Sequence, residues 1–452
     1  MTKIKRVLAS FRDPDGFVYL KQNKVYRKIQ PSFFTQYHKL MQSGLYRTLT
    51  EQQLLIPHEE IRHTRNGIDI QPQQLPFISY PYEWTFSQLR SAALTTLTVQ
   101  KYALEFGMSL KDASAYNIQF FGTQPRLIDT LSFGTLIERE PWVAYRQFCE
   151  HFVAPLTLMS QVDVRLNRLS VFYHEGIPLE LASRLLPVGS YVNLRILAHV
   201  HLHARFQKQQ FSSKNEVDKQ RHFGKKALLG LTETLEQLVK SLTVKSGQSH
   251  WDSYYDHTTY SNAEQKRKAE FVATVCRKLK PKLVWDLGAN TGMYSHIAAQ
   301  FANYVVAMDS DHACSDSLFR EHKQTSILPL WIDLTNPSPA IGWENVERKS
   351  FLARGPADLV LALALMHHLV IGNNVSFAQL AHFFKTVARH LLIEFIPKTD
   401  AQVKRLLAFR RDIFNEYSED KFVLAFRKHF SVSQKISLGN NGRNLYIMRL
   451  LP

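Results

Sequence analysis

Hydrophobic and polar positions divide the chain into two stretches with different rhythms. Near the start, Phe17-Val18-Tyr19-Leu20 and Val25-Tyr26 flank the polar pair Gln22-Asn23, the pattern of a β-hairpin within residues 7–29. Over 32–55, Phe33, Phe34, Tyr37, Leu40 and Met41 recur at helical spacing, which predicts a helix. A proline-rich stretch through Pro72, Pro76 and Pro81 follows, and then a long helical pattern over 86–106. From 141 to 244 the spacing is again mostly helical, broken at Pro178, Pro187 and Gly189. The polar run Lys245-Ser246-Gly247-Gln248-Ser249 reads as a linker. Beyond it, short apolar runs alternate with helical patterns, as in an α/β sheet of mainly parallel strands. The expected division is therefore 1–245, an α+β, mostly helical accessory domain, and 246–452, a Rossmann-like α/β domain with helices on both faces of its sheet.

Length and composition fit that division. A chain of 452 residues exceeds one typical core, and 45% hydrophobic with 21% charged residues is globular composition. No apolar run has the length of a membrane span. The basic N-terminus breaks at once into Ser10-Phe11-Arg12-Asp13-Pro14, unlike a signal peptide. Three scattered cysteines, Cys149, Cys276 and Cys314, give neither a metal-ligand spacing nor a disulfide framework. The expectation is a cytoplasmic protein without a metal site. The net charge of +17 changes the picture in one respect. It makes RNA an alternative partner to a small molecule, although no long Lys/Arg block stands out.

The most informative stretch runs from Lys282 to Ser295. A short apolar strand ends in Asp286, small residues follow, and a helix starts near Met293. Gly288 and Gly292 allow a sharp turn and close approach to a ligand, and the helix N-terminus offers free N–H groups. A second strand ends in Asp309, placed to accept hydrogen bonds from ribose hydroxyls. A third is followed by Asp333. Helix capping or a turn is the plainer role for these acids. The leading carboxylate, D-x-G-x-x-x-G, sets the loop apart from dinucleotide-binding domains. It resembles motif I of class I S-adenosylmethionine-dependent methyltransferases, with Asn290 where many members carry a middle glycine. The resemblance covers roughly 200 residues. It implies that Asp286, Gly288, Asn290 and Gly292 hold the methionine moiety of the cofactor, Asp309 the ribose and Asp333 the adenine. Upstream, Tyr260 and Lys268 are candidates for a lid over the cofactor.

A fourth strand, apolar over 357–365, runs into Met366-His367-His368 and then Asn373-Asn374. Ligands of open α/β sheets bind beyond the carboxyl ends of the strands, so these side chains belong near the methyl acceptor. His367 or His368 could serve as general base, and either could equally fill space. Glu394, near the end of a fifth strand, is a further candidate for orienting the acceptor or a base. Asn336-Pro337-Ser338-Pro339 follows the third strand and reads as a stiff turn.

The first half carries its own signal. Asp112 and Asn117 have the D-x-x-x-x-N spacing of a kinase catalytic loop, and a hairpin turned at Gly122 delivers Asp129. This is similar to small-molecule kinases of the aminoglycoside-phosphotransferase kind. It implies a candidate nucleotide and metal site at Asp112, Asn117 and Asp129, with MgATP as a second ligand and Lys28 or Arg27 facing phosphates. The departures are Leu110-Lys111 before Asp112, no Phe-Gly after Asp129, and no glycine-rich loop beyond Gly16. Over nearly its full length the chain resembles the NoeA-like nodulation methyltransferase group, through residues 79–84, 110–133 and 286–292. That resemblance implies methyl transfer to an acceptor it does not identify, a small molecule being expected. RNA methylation and a two-activity protein with a phosphate-handling first domain are the alternatives.

Overall fold

The computed structural model describes residues 5–206, 224–244, 261–321, 326–408 and 410–452. The expected linker falls outside them, as does Tyr260. The chain divides into two compact units. The first holds residues 1–120, 124–246 and 341–348, and the second 121–123, 247–340 and 349–452.

In the first unit, the predicted hairpin pairs Gly16–Lys21 with Lys24–Ile29. Its turn residues Gln22 and Asn23 are both left-handed, with φ of 52° and 59°, as a two-residue hairpin turn requires. Lys5–Arg6, Gly67–Pro72 and His58–Thr64 extend it to a five-stranded antiparallel sheet. The single helix expected over 32–55 is two, Phe34–Gln42 and Leu45–Glu51. Gly44 separates them at a φ of 89°, where an L side chain is strained. Ile29, Phe33, Tyr37, Ile68, Ile70 and Leu131 form the core beneath the sheet.

The long helix Phe86–Glu105 starts on a capping box, in which Thr85 and Gln88 satisfy each other's backbone N–H groups. After it, Met108–Leu110 pairs with Phe133–Thr135, and between them lies the hairpin Ile118–Phe121 with Gln124–Leu127. The helical remainder buries several histidines. His199 Nδ1 meets the Tyr145 hydroxyl at 2.8 Å, and burial holds its pKa down to about 4. His151 is pushed down to about 3, again chiefly by burial. Both are neutral when folded, whereas an unfolded chain titrates them near 6.5. Between those values the unfolded state binds protons the folded state refuses, so stability is full above pH 6.5 and is lost as pH falls toward 4. The loss reaches up to about 3 kcal/mol for each. Urea midpoints should therefore drop between pH 7 and pH 5 and flatten in His199→Gln; a flat wild-type profile would contradict this account.

The second unit is built on seven strands: β1 (Leu283–Leu287), β2 (Tyr304–Asp309), β3 (Ile327–Trp331), β4 (Ala357–Ala362), β5 (Ala388–Phe395), β6 (Phe430–Ser437) and β7 (Asn444–Leu450). Their order is β3-β2-β1-β4-β5-β7-β6. The first five are parallel, and β7 runs antiparallel to both its neighbours. The helices are α1 (Asn262–Leu279), α2 (Met293–Ala299), α3 (His312–Glu321), α4 (Phe377–Val387), α5 (Ala401–Ala408) and α6 (Glu419–Phe426). α1 begins on the Ser261–Glu264 capping box and stops at left-handed Lys280 before Pro281, which cannot continue a helix. β1 and β4 are apolar because both faces are covered, and Val284, Val305, Leu359, Leu361 and Leu392 lie fully buried in one core with α1 and α2 residues. The connections reverse direction between β1 and β4. That switch point is where an open α/β sheet leaves a crevice beyond its strand ends.

Candidate active site

The loop between β1 and α2 is held open by its backbone. Gly288, Asn290 and Gly292 all have positive φ, of 76°, 50° and 86°. Asparagine tolerates that region better than other side chains, so Asn290 can stand where a middle glycine would. A Cβ on Gly292 would lie 2.6 Å from Leu318 Cδ1. The N–H groups of Gly288 and Ala289 both donate to Met308 O, at 2.8 and 3.0 Å, tying the loop to the end of β2. Next along, Asp309 Oδ2 accepts from Asn290 N at 2.7 Å and Oδ1 from Asp311 N at 2.8 Å. Burial raises the Asp309 pKa against the lowering effect of these backbone donors.

These groups line a cavity of about 450 Å³. Gly288, Asn290, Asp309 and Asp333 contribute from one side, and Leu363, Ala364, Leu365 and His368 from the β4 side. Asp333 caps its own turn, its Oδ1 accepting from Thr335 N and Oγ1. Three of the candidate residues sit one layer behind the wall. Asp286 is buried and accepts from Ser295 Oγ at 2.6 Å, and burial lifts its pKa to about 6. Gly292 shapes the turn into α2. His367 is 1% exposed, and neither ring nitrogen has a hydrogen-bond partner among the described residues. Its pKa lies well below the usual value through burial, so it is neutral. His368 packs on it with ring centroids 4.1 Å apart and reaches the cavity; burial lowers its pKa too.

Glu394 is engaged within the protein. Its Oε2 accepts from Lys268 Nζ at 2.7 Å and from Ala364 N at 2.9 Å. Lys268 also lies 4.8 Å above the Tyr294 ring and lines the cavity. Ala364 has a φ of 52°, so the apolar run ends as a strand at Ala362, short of the 357–365 the pattern suggests. Sequence reasoning missed this grouping: Lys268 and Glu394 are 126 residues apart, and nothing local pairs them.

In the first unit, Asp112, Asn117 and Asp129 do converge. Asn117 Nδ2 donates to Ser132 Oγ at 3.1 Å, and that hydroxyl donates to Asp129 Oδ2 at 2.7 Å. Asp112 accepts from Ser114 N at 3.0 Å, and burial, with Asp129 nearby, raises its pKa. Asp129 Oδ1, however, takes the Arg27 guanidinium, which also pairs with Asp13 at 2.8 Å. The Asp129 carboxylate is thus already paired with a guanidinium. Among the described residues no group of three or more His, Cys, Asp or Glu could hold a metal, and the MgATP reading finds no support in this arrangement.

No family model matches the chain. Nodulation protein NoeA of Rhizobium meliloti (strain 1021) is 34% identical to it over 456 residues, covering 98% of this chain and 95% of that protein. The chain belongs to the NoeA family. Among solved structures it is similar to the N-methyltransferase NodS from Bradyrhizobium japonicum WM9, at 12% identity over 42% of this chain and 98% of that one, with a TM-score of 0.30. It is also similar to magnesium protoporphyrin IX methyltransferase from Synechocystis PCC 6803, at 15% identity over 44% and 93%, with a TM-score of 0.33. Among the described residues no helix is long and apolar enough to cross a membrane.

Proposed function

We propose that this NoeA-family protein is an S-adenosylmethionine-dependent methyltransferase acting on a small molecule. The observation that carries the reading is the cavity at the β1/β4 switch point, walled by the Gly288–Asn290 loop, Asp309 and Asp333. Its residues fit the cofactor. Asp309 can accept from both ribose hydroxyls, Asp333 from the adenine amino group, and the loop lets the backbone approach the methionine part. S-adenosylmethionine supplies an electrophilic methyl group. The chain's task is then to hold the acceptor in line and exclude water, which removes much of the barrier. His368, neutral and at the cavity wall, is positioned to take a proton from an acceptor that must lose one.

For the first unit we infer a kinase-like layout that does not run divalent-metal chemistry. The order of long helix, Asp112, Asn117, hairpin and Asp129 supports the layout, and the Arg27–Asp129 pair argues against the metal. A thermal-shift titration tests both readings. S-adenosylmethionine should raise the Tm in proportion to the logarithm of its concentration above Kd, and MgATP should leave it unchanged. His368→Ala should keep the cofactor shift and lower turnover. Absence of a shift with S-adenosylmethionine would refute the assignment, and a shift with MgATP would make the first unit a working nucleotide site.

A further inference from the structure

The first unit carries a segment with an unusually apolar exposed tip. Over residues 181–206 the chain has three arginines, Arg184, Arg195 and Arg205, and no carboxylate. His201 and Ser190 are buried polar side chains within this segment. His201 is 1% exposed and bridges Ser183 Oγ at 2.7 Å and Ser190 Oγ at 2.8 Å. Tyr191 stacks on the same ring, centroids 3.8 Å apart. Asn193 turns its amide oxygen onto Arg195 N and Ile196 N, capping the next helical turn. At the tip, three aliphatic side chains point out: Val188 and Val192 are each 84% exposed and Leu194 is 76% exposed, while Leu186, Ile196 and Val200 are buried. These contacts fix the backbone so that aliphatic tips project between two exposed arginines.

We infer that this projection docks the protein on an anionic lipid surface. Aliphatic side chains at the tip suit the acyl boundary of a bilayer, and arginines at the base suit its phosphate headgroups. Protein interfaces favour aromatic anchors instead, whereas the three most exposed apolar side chains of this segment, Val188, Val192 and Leu194, are all aliphatic. Arg184 pairs with Glu180 one helical turn away and Arg195 bonds Gln237 at 3.1 Å, and both arginines remain exposed on either side of the tip in sequence. The net charge of +17 acts in the same direction.

Flotation of the full-length protein with vesicles tests this. One set is pure phosphatidylcholine, and the other contains about one-third phosphatidylglycerol. The protein should float with the anionic set, weakly with the neutral one, and less at high salt. Val188→Asp/Val192→Asp should lower the partition at least roughly tenfold. Arg184→Gln/Arg195→Gln should lower it about fivefold per arginine, and only for anionic vesicles. Val188→Ser/Val192→Ser, milder at the same positions, guards against a folding defect, which unchanged Tm values would exclude. Wild-type protein that ignores both vesicle sets would overturn the inference. So would aspartate variants that float as wild type, or tips that instead hold together two copies of the chain in sedimentation.

Discussion

Asp309→Ala is expected to weaken S-adenosylmethionine binding by roughly two orders of magnitude. Hydrogen bonds to a charged acceptor contribute about 1.5–3 kcal/mol each, and two ribose hydroxyls would use this carboxylate. Its oxygens already accept from Asn290 N and Asp311 N, leaving the outward lone pairs for a ligand. Asp309→Asn keeps one acceptor oxygen but sets an amide NH2 against one of the two backbone N–H groups, so its loss should be at least about tenfold, the equivalent of one charge-assisted bond, and smaller than that of alanine. Calorimetric titration of the three proteins, with unfolding curves alongside, separates a lost contact from a collapsed loop. An alanine variant that binds within a factor of two of wild type would remove Asp309 from the cofactor site and with it the assignment of the cavity.

What could be read beforehand followed local backbone chemistry. The 286–292 loop was legible because positive φ demands glycine or asparagine, and all three such positions advertise it. The hairpin at Gln22-Asn23 and the long 86–105 helix were legible for the same reason, each being specified by its own residues. Side-chain destinations were not. His367 and His368 are neighbours, and only the end of β4 at Ala362, followed by left-handed Ala364, turns one into the core and the other to the cavity. Asp129 reads as a metal ligand in sequence, and its contact with the Arg27 guanidinium, 102 residues away, is not written in any local pattern. The antiparallel β7 forms a hairpin with β6, its neighbour in the chain, but its place beside β5 comes from pairing with a strand distant in the chain. A periodicity of two says strand, but carries no direction.

The largest effect on stability should come from Glu394→Ala. The carboxylate is 0% exposed and its partner Lys268 is 2% exposed, so the variant strands an ammonium group in the interior without it. Breaking a buried pair from one side costs about 3–5 kcal/mol, a large share of a domain's stability. Burial already lowers the Lys268 pKa, and without Glu394 the lysine escapes its penalty by losing its proton. The deficit should therefore shrink as pH rises, the same direction as the histidine-linked change expected in the first unit, but in the window below the ordinary lysine value rather than below the ordinary histidine value. The double variant Lys268→Met/Glu394→Leu should recover most of the stability, because apolar residues of similar volume can replace a buried pair at little cost. It should not recover activity. Glu394 also holds the N–H of left-handed Ala364 in the cavity wall, and leucine offers no acceptor. Glu394→Gln retains an acceptor for that N–H, so it should keep cofactor affinity near wild type while losing stability. Urea unfolding and cofactor titration of the three variants thus separate two duties of one carboxylate, neutralising Lys268 and setting the strand-end turn. If the double variant were fully active, the turn would owe nothing to Glu394.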